Sequence, residues 1–332
     1  MATAVSDPRR DAPAGGRDPI IRTEGLAKRY EGPGGGVQAV AGLDLEVTRG
    51  EVFGLLGPNG AGKTTTIGML TTRVRPTGGS AWVGGVDVAV DPAGARALIG
   101  MVSQQNTLDR ALTVRDNLYY HGRYFGLGPR GSRARAEELL ARFRLADRAA
   151  APVMALSGGM AQRLMLARAV MHEPAIVFLD EPTAGLDPQS RLALWDIVRE
   201  LSANGQTILL TTHFMEEADV LCDRVAIMDH GRILALDAPA ALRRSVGASA
   251  VVRLELAASD GGLRERLAAL DGVRDVEEAP GGLAVLGDDA AHLLPGVVGA
   301  VTDAGAQLTG VTVTETTLET VFLRLTGREL RD

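Results

Sequence analysis

The chain has 332 residues, 45% of them hydrophobic, and a formal net charge of −6. That is length for about two domains around a large core. A lone cysteine, Cys222, excludes an internal disulfide and fits a reducing compartment. No apolar run reaches the ~18 residues of a membrane span, and the N-terminus lacks the basic-then-apolar pattern of a signal peptide, which points to an intracellular protein. Charge is uneven: residues 249–332 hold 14 acidic and 7 basic side chains, so residues 1–248 are close to +1. Nothing calls for the basic surface of a nonspecific nucleic-acid binder, and no nucleic acid is expected as a partner.

Residues 1–19 are rich in Ala, Pro, Gly, Asp and Arg without periodicity, and read as a disordered segment. Two short strands follow, near 20–30 and 37–47, joined by a turn at Gly32 to Gly36. Val52 to Leu56 reads as a strand buried on both faces, with a glycine loop directly after it and a helix starting near Gly62. Residues 111–170 read mostly as helices, an insert between two glycine motifs. Ile176 to Leu179 and Thr207 to Thr212 are further buried strands, separated by a helix over Leu192 to Leu201. Strands alternating with helices predict an α/β domain over 20–240 with a mostly parallel core sheet. Beyond about residue 240 the pattern changes to a small α+β domain over 249–332. It has strands at Val251 to Leu256 and Val311 to Thr314, helices near 262–270 and 289–300, the latter broken by Pro295-Gly296, and a last helix capped by Thr317.

The loop Gly57-Pro58-Asn59-Gly60-Ala61-Gly62-Lys63-Thr64, with Thr65 beside it, can cradle nucleotide phosphates. Glycines let backbone amides approach closely, and the following helix N-terminus adds a favourable dipole. Lys63 suits the β- and γ-phosphates of ATP, and Thr64 suits Mg²⁺. Only two lysines occur, Lys28 and Lys63, so a lysine in this loop is not incidental. Asp180, at a strand end, suits the metal; Glu181 suits polarisation of an attacking water. Along an extended strand the two adjacent carboxylates would point apart. His213, after the third buried strand, reads alone as a structural histidine or as a group that orients water. The sequence Leu156-Ser157-Gly158-Gly159-Met160-Ala161-Gln162-Arg163 lies well downstream, with Ser157 94 residues after Lys63.

Across about 20–240 these motifs, in this order, resemble those of the ATP-binding cassette family. The resemblance implies a P-loop ATPase cassette with a helical subdomain, using ATP and Mg²⁺. By it, Ser157, Gly158, Gly159 and Gln162 belong to the family signature, Asp187 to the loop crossing the dimer seam, and His213 is the switch histidine. Glu181 becomes the catalytic glutamate, Asp180 the magnesium aspartate, Tyr30 the aromatic stacked on adenine, and Gln104 the glutamine that touches Mg²⁺ or water. The chain's ending from Leu318 to Asp332, with Phe214 to Asp219, is similar to the ATPase subunits of daunorubicin-type drug exporters. The resemblance therefore implies an ATPase that pairs with a second copy of itself and drives separate integral membrane permease subunits from the cytoplasmic face of the membrane. The alternative is a soluble cassette ATPase acting on ribosomes or DNA, but the tandem cassettes or long coiled coil of that group are missing.

Overall fold

The computed structural model of the protein describes residues 19–32, 35–245, 250–256, 262–279, 281–287, 289–315 and 317–326. The expected disordered segment therefore lies outside the described residues, save Pro19, which opens the first strand; so do part of the turn at 32–36 and the end of the chain from 327. In chain order the first elements are β1 (Pro19–Tyr30), β2 (Val37–Thr48), β3 (Val52–Leu56), α1 (Lys63–Leu70), β4 (Gly78–Val83), β5 (Val86–Asp87), α2 (Pro92–Ala97) and β6 (Ile99–Val102). Next come α3 (Val114–Tyr124), α4 (Pro129–Arg142), α5 (Gly158–Ala169), β7 (Ile176–Asp180), α6 (Pro188–Ala203), β8 (Thr207–Thr212), α7 (Met215–Leu221), β9 (Arg224–Asp229), β10 (Arg232–Asp237) and α8 (Pro239–Ser245). The rest are β11 (Ala250–Leu256), α9 (Leu263–Ala268), β12 (Val273–Ala279), β13 (Gly282–Gly287), α10 (Ala290–Asp303), β14 (Leu308–Glu315) and α11 (Leu318–Thr326).

A six-stranded sheet in the order β10-β9-β3-β8-β7-β6 forms the centre; β9, β3, β8, β7 and β6 run parallel, and β10 closes the edge as an antiparallel hairpin. Every residue of β3, β7 and β8 is buried, as their continuous apolar runs require of strands covered on both faces. Side chains alternate between the faces. Val52 and Leu56 enter the core shared with α3, α4, α5 and α6, whereas Phe53 and Leu55 enter the core under the antiparallel sheet β2-β1-β4-β5. Each such side chain contributes about 1.5–3 kcal/mol by burial. The helical insert starts at a cap: the Thr113 hydroxyl accepts from the Asp116 amide at 3.1 Å and donates to its carboxylate at 2.6 Å.

The last quarter of the described chain divides. Strands β12-β13-β11-β14 form an antiparallel sheet, and with α9 and α10 it encloses a separate core around Val252, Leu254, Val285 and Val297. Helix α11 does not join that core. Its Leu318, Val321 and Phe322 enter the cassette core and pack beside α7 and α8. Thr317 caps it as expected, accepting from the Thr320 amide at 3.4 Å.

One expectation fails here. Helix α10 runs unbroken through Pro295-Gly296. Proline removes one backbone donor, while the Asp289 cap, accepting from Ala291 at 2.9 Å, and the buried Leu293, Val297 and Val301 hold the helix together. The hairpin of β12 and β13 also went unforeseen. In β12 only Val276 is buried, so Arg274, Asp275, Glu277 and Glu278 hide the strand behind charge.

Candidate functional site

The glycine loop follows β3 directly and is braced from three sides. Gly57 donates its amide to the Thr212 carbonyl at 3.3 Å, and a Cβ at Gly57 would collide with the Met228 carbonyl oxygen. Gly62 has φ +104°, a left-handed conformation that favours glycine, and places α1 with no side-chain cap on its first amides. Those free donors, with the helix dipole, make an anion-binding end. The turn at Gly231 holds the loop from outside: its amide donates to Ala61 at 2.9 Å, and its carbonyl accepts from Ala41 at 2.9 Å. This turn went unread in the sequence, and its role as a brace depends on the tertiary structure.

The resulting cavity of about 250 Å³ is lined by Asn59 through Thr65 with Ala39, Gln104 and Glu181. Lys63 is buried across it, with Nζ donating to the carbonyls of Gly57 at 2.7 Å and Pro58 at 3.1 Å and lying 3.3 Å from Glu181 Oε1. Burial pushes the Lys63 amine below its usual range, and the charges of Glu181 and then Asp180 pull it back.

Strand β7 delivers the acidic pair. Asp180 Oδ1 accepts from Thr211 at 2.7 Å and from Thr64 at 3.2 Å, which ties the strand end to the first turn of α1. Glu181 departs from the strand. Its φ is +49°, uncommon for a residue with a side chain, and its amide donates to the Thr211 carbonyl at 3.1 Å and hydroxyl at 3.0 Å. The two carboxylates thus diverge because of a left-handed turn, rather than through the alternation of an extended strand. Such a conformation costs of order 1–3 kcal/mol and persists where the surroundings over-determine it. Around the Glu181 carboxylate stand Lys63, the Gln104 side-chain amide donating at 3.3 Å, and His213, whose Nδ1 lies 3.4 Å from Oε2 without forming a hydrogen bond.

Among the described residues no group of three or more His, Cys, Asp or Glu could hold a metal unaided. Mg²⁺ needs no such group, since it keeps waters and takes one or two carboxylates plus substrate phosphate oxygens. The Thr64 hydroxyl, the Asp180 carboxylate and the free amide oxygen of Gln104 form a hard, oxygen-only donor set that fits it.

The remaining expected residues lie elsewhere. Tyr30, at the end of β1, is 42% exposed with the Lys28 amine 5.0 Å from its ring centroid, and it does not line the cavity. Ser157 caps α5, accepting from the Met160 amide at 3.3 Å; Gly158 and Gly159 begin that helix, and Gln162 is half-buried on it. Asp187 caps α6, accepting from Ser190 at 2.9 Å, and these bonds hold its exposed carboxyl below the usual range. A Cβ on Gly159 would run into the Ser190 side chain, so α5 and α6 meet at their N-termini. Neither 157–162 nor Asp187 lines the cavity around Lys63.

The profile of the family described as ABC transporter matches residues 40–184. A daunorubicin resistance ATP-binding protein of Streptomyces coeruleorubidus is 43% identical over 314 residues, covering 95% of this chain and 98% of that protein. A Nod factor export ATP-binding protein of Ralstonia nicotianae is 43% identical over 324 residues, 96% of this chain and 98% of its own. Among solved structures, an ATP-binding subunit of an ABC transporter superposes with TM-score 0.62 at 31% identity, covering 69% of this chain and 93% of that one. A dimeric cassette captured after hydrolysis with ADP and Pi gives TM-score 0.61 at 25% identity, over 66% and 98%. Fold, loop geometry and relatives agree: this chain belongs to the ATP-binding cassette transporter family, as an ATP-binding and ATP-hydrolysing subunit.

Proposed function

We propose that two copies of this chain close head to tail on ATP and energise separate membrane permease subunits that export drug-like or hydrophobic compounds. One observation carries the reading: the cavity around Lys63 is half a catalytic site, built from the glycine loop, Gln104 and Glu181, with no contribution from Ser157, Gly158, Gly159, Gln162 or Asp187. Ser157, Gly158 and Asp187 stand exposed and Gln162 half-buried at the N-termini of α5 and α6, where a second copy can meet them, while Gly159 is buried beside Ser190. In this reading Asn59 to Thr65 bind the phosphates, Tyr30 stacks on the adenine, and Thr64, Asp180 and Gln104 hold Mg²⁺, which neutralises phosphate charge when bound. Glu181 polarises the attacking water, and His213 orients it. ATP bridging the copies favours the closed pair, and loss of the γ-phosphate contact weakens it.

The export assignment rests on the daunorubicin-resistance and Nod-factor-export relatives, whose similarity covers 95% and 96% of this chain. Residues 20–240 with α11 then act as the cassette, and the rest of 249–332 as an accessory domain. No helix among the described residues is long and apolar enough to cross a membrane, so attachment would be through the permease at its cytoplasmic face. The test is to recover the chain with its membrane partner, reconstitute the assembly in vesicles, and follow ATP-dependent movement of an anthracycline and of unrelated lipophilic compounds. Turnover without movement of any such compound would overturn the export reading. Binding of ATP without pairing or turnover would overturn the catalytic one.

A further inference from the structure

Glu217, in the first turn of α7, has no exposed surface. The Trp195 indole donates to its Oε1 at 3.0 Å, and the hydroxyls of Thr183 and Thr212 lie beside the same carboxyl. A carboxyl sealed among apolar side chains is costly, and burial pushes this one above its usual range. A neutral acid can accept from the indole on one oxygen and donate from the other, and Oε2 has no donor of its own in this structure. The three neighbours come from three separate segments. Thr183 stands two residues after Glu181, Thr212 immediately before His213, and Trp195 on α6. A second contact repeats the link, since the Arg191 guanidinium sits 4.5 Å from the ring centroid of Phe214, the residue after His213. Asp187, Arg191 and Trp195 follow at i, i+4 and i+8, so one face of α6 runs from the cap at Asp187 to these contacts.

We infer that Glu217 is a positioning residue, which ties the turn after Glu181 and the turn before His213 to α6 and thereby sets how His213 approaches Glu181. The Trp195 indole anchors the carboxyl to α6, and Thr183 and Thr212 pack beside it from the two turns, with the Thr183 hydroxyl and Oε2 themselves not hydrogen-bonded. The inference rests on Glu181 and His213 serving hydrolysis, as proposed above.

The test uses the full chain, alone and with its co-purified permease, and compares Glu217→Leu, Glu217→Gln and Trp195→Phe for kcat, ATP KM and thermal midpoint. Glu217→Leu should lower kcat by about tenfold or more with KM within about twofold. Glu217→Gln should restore most of the rate, because the amide keeps the size of the side chain and still accepts from Trp195. Trp195→Phe should lower kcat a few-fold at unchanged KM, and it carries the test if the leucine variant fails to fold. Parental kcat in Glu217→Leu or Trp195→Phe would overturn the inference. So would a loss in Glu217→Gln equal to that in Glu217→Leu, or a loss that tracks KM and the midpoint together. Parental hydrolysis by Glu181→Gln would instead overturn the functional reading on which it rests.

Discussion

The two glycine motifs look alike as strings and differ in what their glycines do. At Gly57 and Gly62 the backbone leaves no alternative: one has a carbonyl where a Cβ would go, and the other has φ +104°. The loop's side chains are committed as well, with Lys63 bound to two loop carbonyls and to Glu181. At the signature, Gly158 begins an ordinary helix with nothing nearer to a Cβ than Leu186 at 3.9 Å, and Ser157 spends its side chain on a cap. The first motif is organised by its own chain. The second offers exposed donors whose purpose no contact around Gly158 explains. That asymmetry is what a site completed by a second copy requires.

The strongest way to break the comparison is at Glu181. Glu181→Gln should cut hydrolysis by about 10²–10⁴-fold, the range of general-base catalysis, while ATP still binds and the ATP-bound pair accumulates. Single-turnover assays and sedimentation with ATP check both halves; an unchanged rate would remove the glutamate from the chemistry. Lys63→Ala comes next. It removes charge that acts on both bound and reacting phosphates, so affinity and rate should fall together, with a loss of about 2–4 kcal/mol in transition-state stabilisation. If only kcat fell, Lys63 would not be a ground-state phosphate ligand.

Smaller effects sharpen the contrast between the glycines. Gly57→Ala forces a methyl against the Met228 carbonyl and should destabilise the fold by about 1–3 kcal/mol, read as a lower urea midpoint. Gly158→Ala meets only an ordinary contact with Leu186 and should change stability by less than about 1 kcal/mol, yet slow hydrolysis by about tenfold or more without affecting ATP binding by single chains. Equal destabilisation by both would mean that the signature glycine serves its own chain's packing, as Gly159 does against Ser190.

Much of this was legible beforehand for a physical reason. Strands buried on both faces need continuous apolar runs, and phosphate cradles need glycine at fixed spacing, so Val52 to Leu56, Ile176 to Leu179 and Gly57 to Thr64 announce themselves locally. What was illegible depends on contacts distant in sequence. The left-handed turn at Glu181 is held by Thr211, the loop brace by Gly231, and the carboxyl of Glu217 by Trp195, each from a separate element. Helix α11 shows the same limit: its apolar stripe of Leu318, Val321 and Phe322 was readable, but not that it would pack on α7 and α8 rather than on the sheet before it. Tyr30 was found through the motif match alone, and its exposed ring lies outside the cavity around Lys63.

An effect seen only in acid separates the phosphate site from the helical insert. His121, in the last turn of α3, faces a cavity of about 230 Å³ together with Arg73, Arg96, Arg168 and His172. The Phe125 ring stacks on His172 at 3.8 Å. Burial, then the charge of Arg168 and of His172, lowers His121 from 6.5 to about 4. Between those values the unfolded chain binds a proton that the folded chain refuses, so stability is full above pH 6.5 and falls as pH drops to about 4. Partial exposure limits the loss to about 1–3 kcal/mol, and the lowered His172 acts in the same direction. His121→Gln should flatten the urea midpoint over that window and leave it unchanged at pH 7.5 or so. Parallel pH curves for parent and variant would place the acid-sensitive group elsewhere, and a midpoint shift only at neutral pH would mean that the ring contributes packing alone.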